Sequence, residues 1–168
     1  MTYPYRRNVW SQVRQHSWKY TKRTKKVDAI IWHATRGMQN YPGDIEQNAY
    51  INWAVSPNNI NSRSGAASAG IANVGIGPLG VDLTVDLDYE PRYSSWPSDT
   101  HAISIEVAQS NPGQHIERET IDHCVRFAEY LRKTYDIPKQ RVFPTNDSFW
   151  RGETGHEDTV QGKHQGKT

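Results

Sequence analysis

The chain has 168 residues, of which 35% are hydrophobic and 23% charged, with a formal net charge of +2 at pH 7. This length fits one domain, and the composition excludes both an intrinsically disordered chain and a membrane-spanning one. The start of the sequence lacks the basic and then apolar pattern of a secretory signal, so we expect no signal peptide. The single cysteine, Cys124, excludes an internal disulfide and a multi-cysteine zinc knuckle. Any bound metal must therefore be held mostly by histidine and carboxylate side chains.

The charge is unevenly distributed along the chain. Residues 1–26 contain eight lysines or arginines and no acid, and aromatic residues are interleaved with them. Residues 27–168 carry the other twelve basic residues against all 18 acids, so this part is net acidic. The basic lead has two interpretations, a polyanion-binding arm or a solvated strand and loop that only carries charge. Nucleic acid, another anionic polymer and a lipid headgroup are the candidate partners of such an arm.

The first predicted elements are a strand and a helix. Residues 27–32 form a short, nearly continuous apolar run, which is typical of a strand buried on both faces. Residues 44–55 place Ile45, Ala49 and Trp53 four positions apart. This spacing predicts a helix with these three side chains on its buried face.

Two strands and a long helix follow. Residues 81–87 alternate apolar and polar side chains, which predicts a half-exposed strand. Residues 102–107 alternate again, with Ile103, Ile105 and Val107 on one face and Ala102, Ser104 and Glu106 on the other. Residues 117–135 predict a helix with a buried stripe of Ile121, Cys124, Val125, Ala128 and Leu131. The order of the elements predicts an α/β fold with a central mixed sheet flanked by helices.

Three residues are candidates for chemistry. His33 follows the first buried strand, where a rigid strand end opens onto the surface. His156 lies in a Gly-His-Glu-Asp segment after a polar loop. Glu106 is an acid on an otherwise aliphatic strand, and a carboxylate that lines a pocket there would be a candidate general base. Each residue taken alone has an ordinary structural interpretation.

Four segments together resemble a known family. Residues 27–35 (VDAIIWHAT), 52–58 (NWAVSPN), 102–107 (AISIEV) and 155–158 (GHED), with Ser95-Trp96 before the third, are similar in order and spacing to the type 2 N-acetylmuramoyl-L-alanine amidases. This family includes phage endolysins and shares its fold with the peptidoglycan recognition proteins. The resemblance covers residues 27–168. It implies a peptidoglycan recognition protein-like amidase fold and cleavage of the amide between N-acetylmuramic acid and L-alanine of the stem peptide.

The resemblance also implies a catalytic zinc site. His33 and His156 would be two zinc ligands, and Glu106 would transfer the proton of the attacking water. Lys167 would stabilise the oxyanion, and the third ligand would fall just beyond Thr168. We therefore expect residues 27–168 to form the catalytic domain, cut at its C-terminal end. His164 is the alternative third ligand.

The expected partner is bacterial peptidoglycan, with the basic lead of residues 1–26 in contact with anionic wall polymer. We expect no nucleic-acid partner and no transmembrane segment, and we expect a monomer. A phage endolysin would lie in the cytoplasm of the infected bacterium and reach the cell wall with the help of a holin. A prophage product or a wall-recycling enzyme fits the sequence equally well.

The sequence also departs from the family pattern. Ile71 stands where many members have a tyrosine, so catalysis would rest on Glu106 and the lysine. A non-catalytic peptidoglycan-binding module of the same fold therefore stays open. Cys124 as the nucleophile of a cysteine peptidase is set aside, because it lies on an apolar helix stripe. The remaining histidines are expected to be solvent-exposed: His16, His101, His115 and His123.

Overall fold

The computed structural model describes residues 2–35, 41–58, 71–92, 97–111, 113–146 and 150–159. Within these ranges the strands are β1 Arg7–Asn8, β2 Tyr20–Lys22, β3 Ala29–Ala34, β4 Val74–Gly77, β5 Gly80–Leu83, β6 Tyr89–Pro91, β7 Ala102–Val107 and β8 Gly152–Gly155. The α-helices are α1 Trp10–Val13, α2 Gly43–Val55 and α3 Arg118–Tyr135. Short 3₁₀ turns are formed by Ser17–Lys19, Ser98–Thr100 and His156–Asp158.

The described strands form a mixed sheet in the order β1-β5-β4-β7-β3-β8, and β2 pairs with β6 in a separate antiparallel ribbon. Among the described strands of the large sheet, only the hairpin pair β4–β5 is antiparallel, and every other neighbouring pair runs parallel. Helix α3 packs on one face and α2 on the other. The predicted central mixed sheet flanked by helices is therefore confirmed.

Side-chain alternation on β7 separates the two faces as the sequence predicts. Ile103, Ile105 and Val107 belong to the core that contains Phe127 and Leu131 of α3. The other face of the sheet meets α2 through a second core, which includes the buried residues Val9, Val13, Tyr50, Ile51, Ala54, Ile71 and Val85. Glu106 therefore points away from α3.

The buried face of α2 differs from the prediction. Ile45 and Trp53 are 47% and 38% exposed, whereas Gln47, Tyr50 and Ile51 are buried. Gln47 tolerates burial because its amide donates to Gly80 O at 2.8 Å and Asp82 Oδ2 at 3.0 Å. The apolar spacing therefore predicted the wrong buried face of α2. Gln47 is buried although its side chain is polar, because its amide has two hydrogen-bond partners.

The predicted stripe of α3 is also partly wrong. Ile121 and Val125 are about half exposed, at 48% and 50%, whereas Thr120 and Phe127 are buried. Tyr3 lies edge-on against Phe127, with ring centroids 4.8 Å apart. The N-terminal segment therefore adds an aromatic contact to the side of the helix that packs on the sheet.

The segment predicted as a half-exposed strand is buried on both faces. The strand ends at Leu83, and every residue of β5 is buried. Asp82 is fully buried because Arg6 and Arg7 form ion pairs with its carboxylate. The Thr84 hydroxyl lies 2.6 Å from Ala72 O. Asp82 and Thr84 thus find partners inside the fold rather than in solvent, whereas Asp86 is half-exposed.

The basic lead is packed against the rest of the chain. β1 pairs with β5, and Val9 and Val13 enter the core. Arg23 donates to the carbonyl oxygens of three residues, those of Leu87, Tyr89 and Asp99. The contact of this lead with anionic wall polymer stays a prediction. None of the helices in the described part of the chain is long and apolar enough to span a membrane.

Lys19 is a buried cation at the C-terminal end of α2. Its side chain is fully buried, and its Nζ donates to Ala54 O at 2.7 Å and Ser56 O at 2.6 Å. These carbonyls carry the partial negative charge of the helix end. Burial nevertheless lowers the pKa of Lys19 from 10.5 to about 8.

This lowered pKa predicts a pH-dependent stability. Between about pH 8 and 10.5 the unfolded chain keeps a proton that the folded chain releases, so the free energy of unfolding should rise with pH. The stability that neutral Lys19 contributes is fully present above the unfolded pKa of 10.5. It is lost as the pH falls through the folded pKa of about 8. Lys19→Met should abolish this rise relative to wild type in urea unfolding from pH 7 to 10. Lys22→Met, at an exposed site, should follow the wild-type slope, and an unchanged slope in Lys19→Met would contradict the assignment.

Candidate functional site

The predicted site residues on adjacent strands lie in one row across the sheet. In the parallel pairing, Glu106 of β7 is in register with His33 of β3 on one side and Gly75 of β4 on the other. Trp32 is in register with Gly155, so that His156 follows β8 beside His33. Side chains in register on parallel strands point to the same face, and here that is the face of α2.

The structure brings the two predicted metal ligands together. The imidazole rings of His33 and His156 have their centroids 4.7 Å apart, with their planes inclined by 46°. Both side chains are half-buried. Thr159 fixes the turn that carries His156, because its backbone N–H and its hydroxyl both donate to His156 O, at 3.1 and 2.7 Å.

Two imidazoles at this separation fit a shared metal ion. Tetrahedral zinc binds imidazole nitrogen at about 2.0–2.1 Å, which places two such nitrogens about 3.3 Å apart. Rings whose centroids lie 4.7 Å apart can present nitrogens at that spacing. Among the described residues, no group of three or more His, Cys, Asp or Glu side chains is close enough to hold a metal. Lys167 and His164 lie outside the described residues, so the third ligand and the lysine stay predictions.

Glu106 has a neighbour that the sequence analysis missed. Burial raises the pKa of the Tyr50 phenol, and the charge on Glu106 is the next largest cause. The Tyr50 oxygen accepts a hydrogen bond from the backbone N–H of Ala72 at 2.9 Å, which fixes the ring. Tyr50 was overlooked because the apolar spacing of α2 placed Ala49 and Trp53 on the buried face.

Glycine in β4 makes room for this tyrosine. A methyl group on Gly75 would lie 2.6 Å from Tyr50 Cδ1, closer than ordinary van der Waals contact. One position further along the same face, a methyl group on Gly77 would lie 2.4 Å from the Gln47 amide oxygen. The two glycines let α2 approach the sheet beside Glu106.

A second set of contacts holds β3 and β8 together from the α3 face. The Trp32 indole N–H donates to Glu153 Oε2 at 3.2 Å. Arg132 of α3 donates its Nε to Glu153 Oε1 at 2.8 Å and places its Nη2 on the same oxygen. Trp32 and Glu153 precede His33 and His156 in the chain, so these contacts support the strand ends that carry both histidines.

The prediction that the remaining histidines are solvent-exposed is wrong for His101 and only partly met for His16 and His123, which are half-buried. His101 is only 4% exposed, with its Nδ1 2.9 Å from Asp28 Oδ1 and its ring edge-on to Trp150. A carboxylate partner makes this burial possible. His115 is exposed, as predicted. Burial raises the pKa of Cys124 to about 12, which agrees with a packed thiol rather than a nucleophile.

The fold is similar to those of several solved structures, which include a hydrolase and an N-acetylmuramoyl-L-alanine amidase. The structure of PlyL matches with a TM-score of 0.61 and 16% identity, over 98% of this chain and 86% of that chain. Staphylococcus aureus hydrolase AmiA matches with a TM-score of 0.55 and 14% identity, over 89% of this chain and 64% of that one. The endolysin N-acetylmuramoyl-L-alanine amidase LysCS from Clostridium intestinale URNW matches with a TM-score of 0.52 and 14% identity, over 84% and 80%.

No protein-family model matches the sequence, and the curated proteins give no match either. At 14 to 16% identity the structural likeness establishes the fold. It confirms the amidase-like α/β architecture expected from the sequence.

The contact between Gly75 and Tyr50 predicts a costly substitution. Gly75→Ala should lower the free energy of unfolding by about 1–3 kcal/mol, the usual cost of adding a methyl group to a packed interior. The ring cannot move freely, because Ala72 holds its phenol oxygen. Chemical denaturation of Gly75→Ala, Tyr50→Ala and the double variant should show a strong coupling, with the penalty of the methyl group lost once the ring is absent. Wild-type stability of Gly75→Ala would refute this close approach.

Proposed function

We propose that this chain is a zinc-dependent N-acetylmuramoyl-L-alanine amidase that acts on bacterial peptidoglycan. The observation that carries the proposal is the contact of His33 with His156, from distant parts of the chain, with Glu106 in the same row of the sheet. The names of the similar structures support it, since they include an endolysin amidase and a hydrolase.

His33 and His156 would hold the zinc, together with a third ligand outside the described residues. Neutral imidazole suits this metal, and an incomplete protein ligand set leaves a position for water or substrate. When bound, zinc supplies Lewis acidity that polarises the carbonyl of the scissile amide. Lys167, also outside the described residues, would stabilise the charge that develops on the carbonyl oxygen.

Glu106 would move the proton. Its carboxylate would accept a proton from the attacking water as the new C–O bond forms on the lactyl carbonyl of N-acetylmuramic acid. The same proton would then pass to the nitrogen of L-alanine as the C–N bond breaks. The products are a free carboxyl group on the sugar and a free amino group on the stem peptide. A general base in this role contributes about 10²–10⁴-fold to the rate.

The biological setting that we propose is that of an endolysin. Such a protein would act as a monomer on the cell wall, after release from the cytoplasm of an infected bacterium with the help of a holin. The similarity to the solved structure of the endolysin amidase LysCS supports this setting.

A non-catalytic peptidoglycan-binding module is the second candidate function. It is favoured by the lack of a third potential metal ligand near the two histidines within the described ranges. The two candidates differ in measurable properties, because a binding module would retain peptidoglycan affinity without zinc or product release.

His33→Ala should weaken zinc binding by at least about 100-fold, because it removes a direct ligand of the metal. Loss of a residue that only supports a ligand already weakens binding by about 10–100-fold. Competition with a chromophoric chelator would measure the affinity, and elemental analysis would give the stoichiometry. His115→Ala, at an exposed histidine, should bind zinc like wild type. Undiminished stoichiometric zinc in His33→Ala would show that the metal site has been misplaced.

Glu106→Gln should lower the rate of peptidoglycan hydrolysis about 10²–10⁴-fold and leave the zinc content unchanged. The amide keeps the shape of the side chain but does not accept the proton of the water. Appearance of new N-terminal alanine in digests of purified peptidoglycan would measure the reaction. If Glu106→Gln exposed new N-terminal alanine at the wild-type rate, Glu106 would be excluded as the base. If the wild-type chain bound no zinc and exposed no N-terminal alanine, the binding module would be favoured.

A further inference from the structure

A cleft of about 400 Å³ lies between the N-terminal segment, the β4–β5 hairpin and α3. Val81 forms part of its wall and belongs to the core under α3, so the cleft lies on the α3 side of the sheet. His33, Glu106 and His156 point to the other side. We call it the α3 cleft, and the proposed hydrolysis makes no use of it.

One wall of the α3 cleft is aliphatic. Leu79 lies in the turn of the β4–β5 hairpin, and 44% of its surface is exposed. Pro4 and Val81 continue the same wall. A small aliphatic group of a ligand would be removed from water against these side chains, which favours its binding.

The α3 cleft also contains an arginine that is available to a ligand. Arg126 is exposed, and its Nε donates to Asp122 O at 3.2 Å, which orients the guanidinium. Within the described residues, no Asp or Glu lines the cleft, and Arg126 forms no ion pair with Asp122 or Glu129, one turn away on α3. The terminal nitrogens of Arg126 are therefore free to bind a carboxylate, whose two oxygens match the guanidinium fork.

The buried acid nearest in the structure to the second arginine of the cleft is outnumbered by cations. Arg6 lines the cleft and forms an ion pair with Asp82, and Arg7 pairs with the same carboxylate. One negative charge thus meets two guanidinium groups. This neighbourhood adds no negative charge that would repel an anion at Arg126.

His123 supplies a hydrogen-bond acceptor. Its Nδ1 lies 3.0 Å from Gly77 O. A carbonyl oxygen only accepts, so Nδ1 carries the hydrogen, and the neutral ring keeps its lone pair on Nε2. A ligand N–H can donate to this nitrogen.

Tyr3 adds a hydroxyl group close to Arg126. Burial raises the pKa of the Tyr3 phenol, and the positive charge of Arg126 opposes this rise, which indicates that the two groups are near each other. The ring is held edge-on against Phe127, with centroids 4.8 Å apart. The phenol stays protonated at neutral pH, and its O–H can donate to an anion bound at Arg126.

We propose that the α3 cleft binds the C-terminal carboxylate of a peptide whose last residue is small and aliphatic. The carboxylate would pair with Arg126 and accept the Tyr3 hydroxyl. The N–H of the last peptide bond would donate to His123 Nε2, and the small side chain would contact Leu79. A phosphate lacks this N–H, and a free amino acid carries an ammonium group that Arg126 repels.

NMR titration of the full chain with N-acetyl-alanyl-alanine tests the proposal, with the affinity taken from chemical-shift changes at Tyr3 and His123. Arg126→Gln should bind the peptide at least about 10-fold more weakly, because hydrogen bonds to a charged group are lost. The matched control Arg118→Gln removes an exposed cation of the same helix that does not line the cleft. It should stay within about 2-fold of wild type, because distant charges are screened.

Three altered ligands test the other contacts. The peptide with a C-terminal carboxamide should bind at least about 10-fold more weakly, because it carries no charge for Arg126. The peptide methylated on its last amide nitrogen should bind about 5-fold more weakly, because it has no N–H for His123. Acetate should bind at least about 10-fold more weakly, because it lacks both the N–H and the aliphatic side chain.

Four results would each overturn the proposal. They are a lack of any shift change with the wild type, equal weakening in Arg126→Gln and Arg118→Gln, undiminished binding of the carboxamide or the methylated peptide, and binding of acetate as tight as that of the peptide. Acetate binding of that strength would identify a site for any small carboxylate rather than for the end of a peptide.

Discussion

Parallel pairing of β3 between β7 and β8 is the constraint on which the candidate site depends. The register sets His33 beside Glu106, and the end of β8 sets His156 beside His33. A shift of one residue would turn every side chain of a strand to the other face. The burial of Ile103 and Ile105 against α3 opposes such a shift, so the hydrophobic core and the proposed chemistry are fixed by the same pairing.

A buried carboxylate connects the N-terminal segment to this sheet. Asp82 accepts from Arg6 Nε at 2.8 Å, pairs with Arg7 and receives the Gln47 amide at 3.0 Å. It thereby joins β1, β5 and α2. Removing one partner from a buried ion pair is usually more costly than never forming it, because the remaining charge stays desolvated. The basic residues of the lead thus have a structural role, whatever else they contact.

The sequence predicts the fold better than it predicts the details of packing. The α/β class, the alternation of residues 102–107 and the position of His33 at a strand end follow from local patterns, because strand faces repeat every two residues. The buried faces of α2 and α3 do not follow. Gln47 is buried by its hydrogen bonds and Ile121 is left exposed by the direction of packing, and both depend on residues far away in the chain.

The same limit applies to the site. His33, Glu106 and His156 could be selected because the segments that carry them resemble a family pattern, whereas only the structure shows that the two histidines lie close together. Tyr50 and Gly75 could not be found in this way, since a buried tyrosine and a small residue are ordinary in a core. Their importance comes from the 2.6 Å approach that any methyl group on Gly75 would make to the ring. Such a fit is a property of two elements in contact and of neither sequence segment alone.

Alternation along a strand also explains how one pair of strands can present two different surfaces. Trp32 and Glu153 face α3 and are joined by Arg132, while His33 and His156 face the other way. Contacts on the α3 face hold β3 and β8 together without occupying the opposite face. The ion pair of Glu153 with Arg132 therefore supports the strand ends that carry both histidines from the side away from the proposed chemistry.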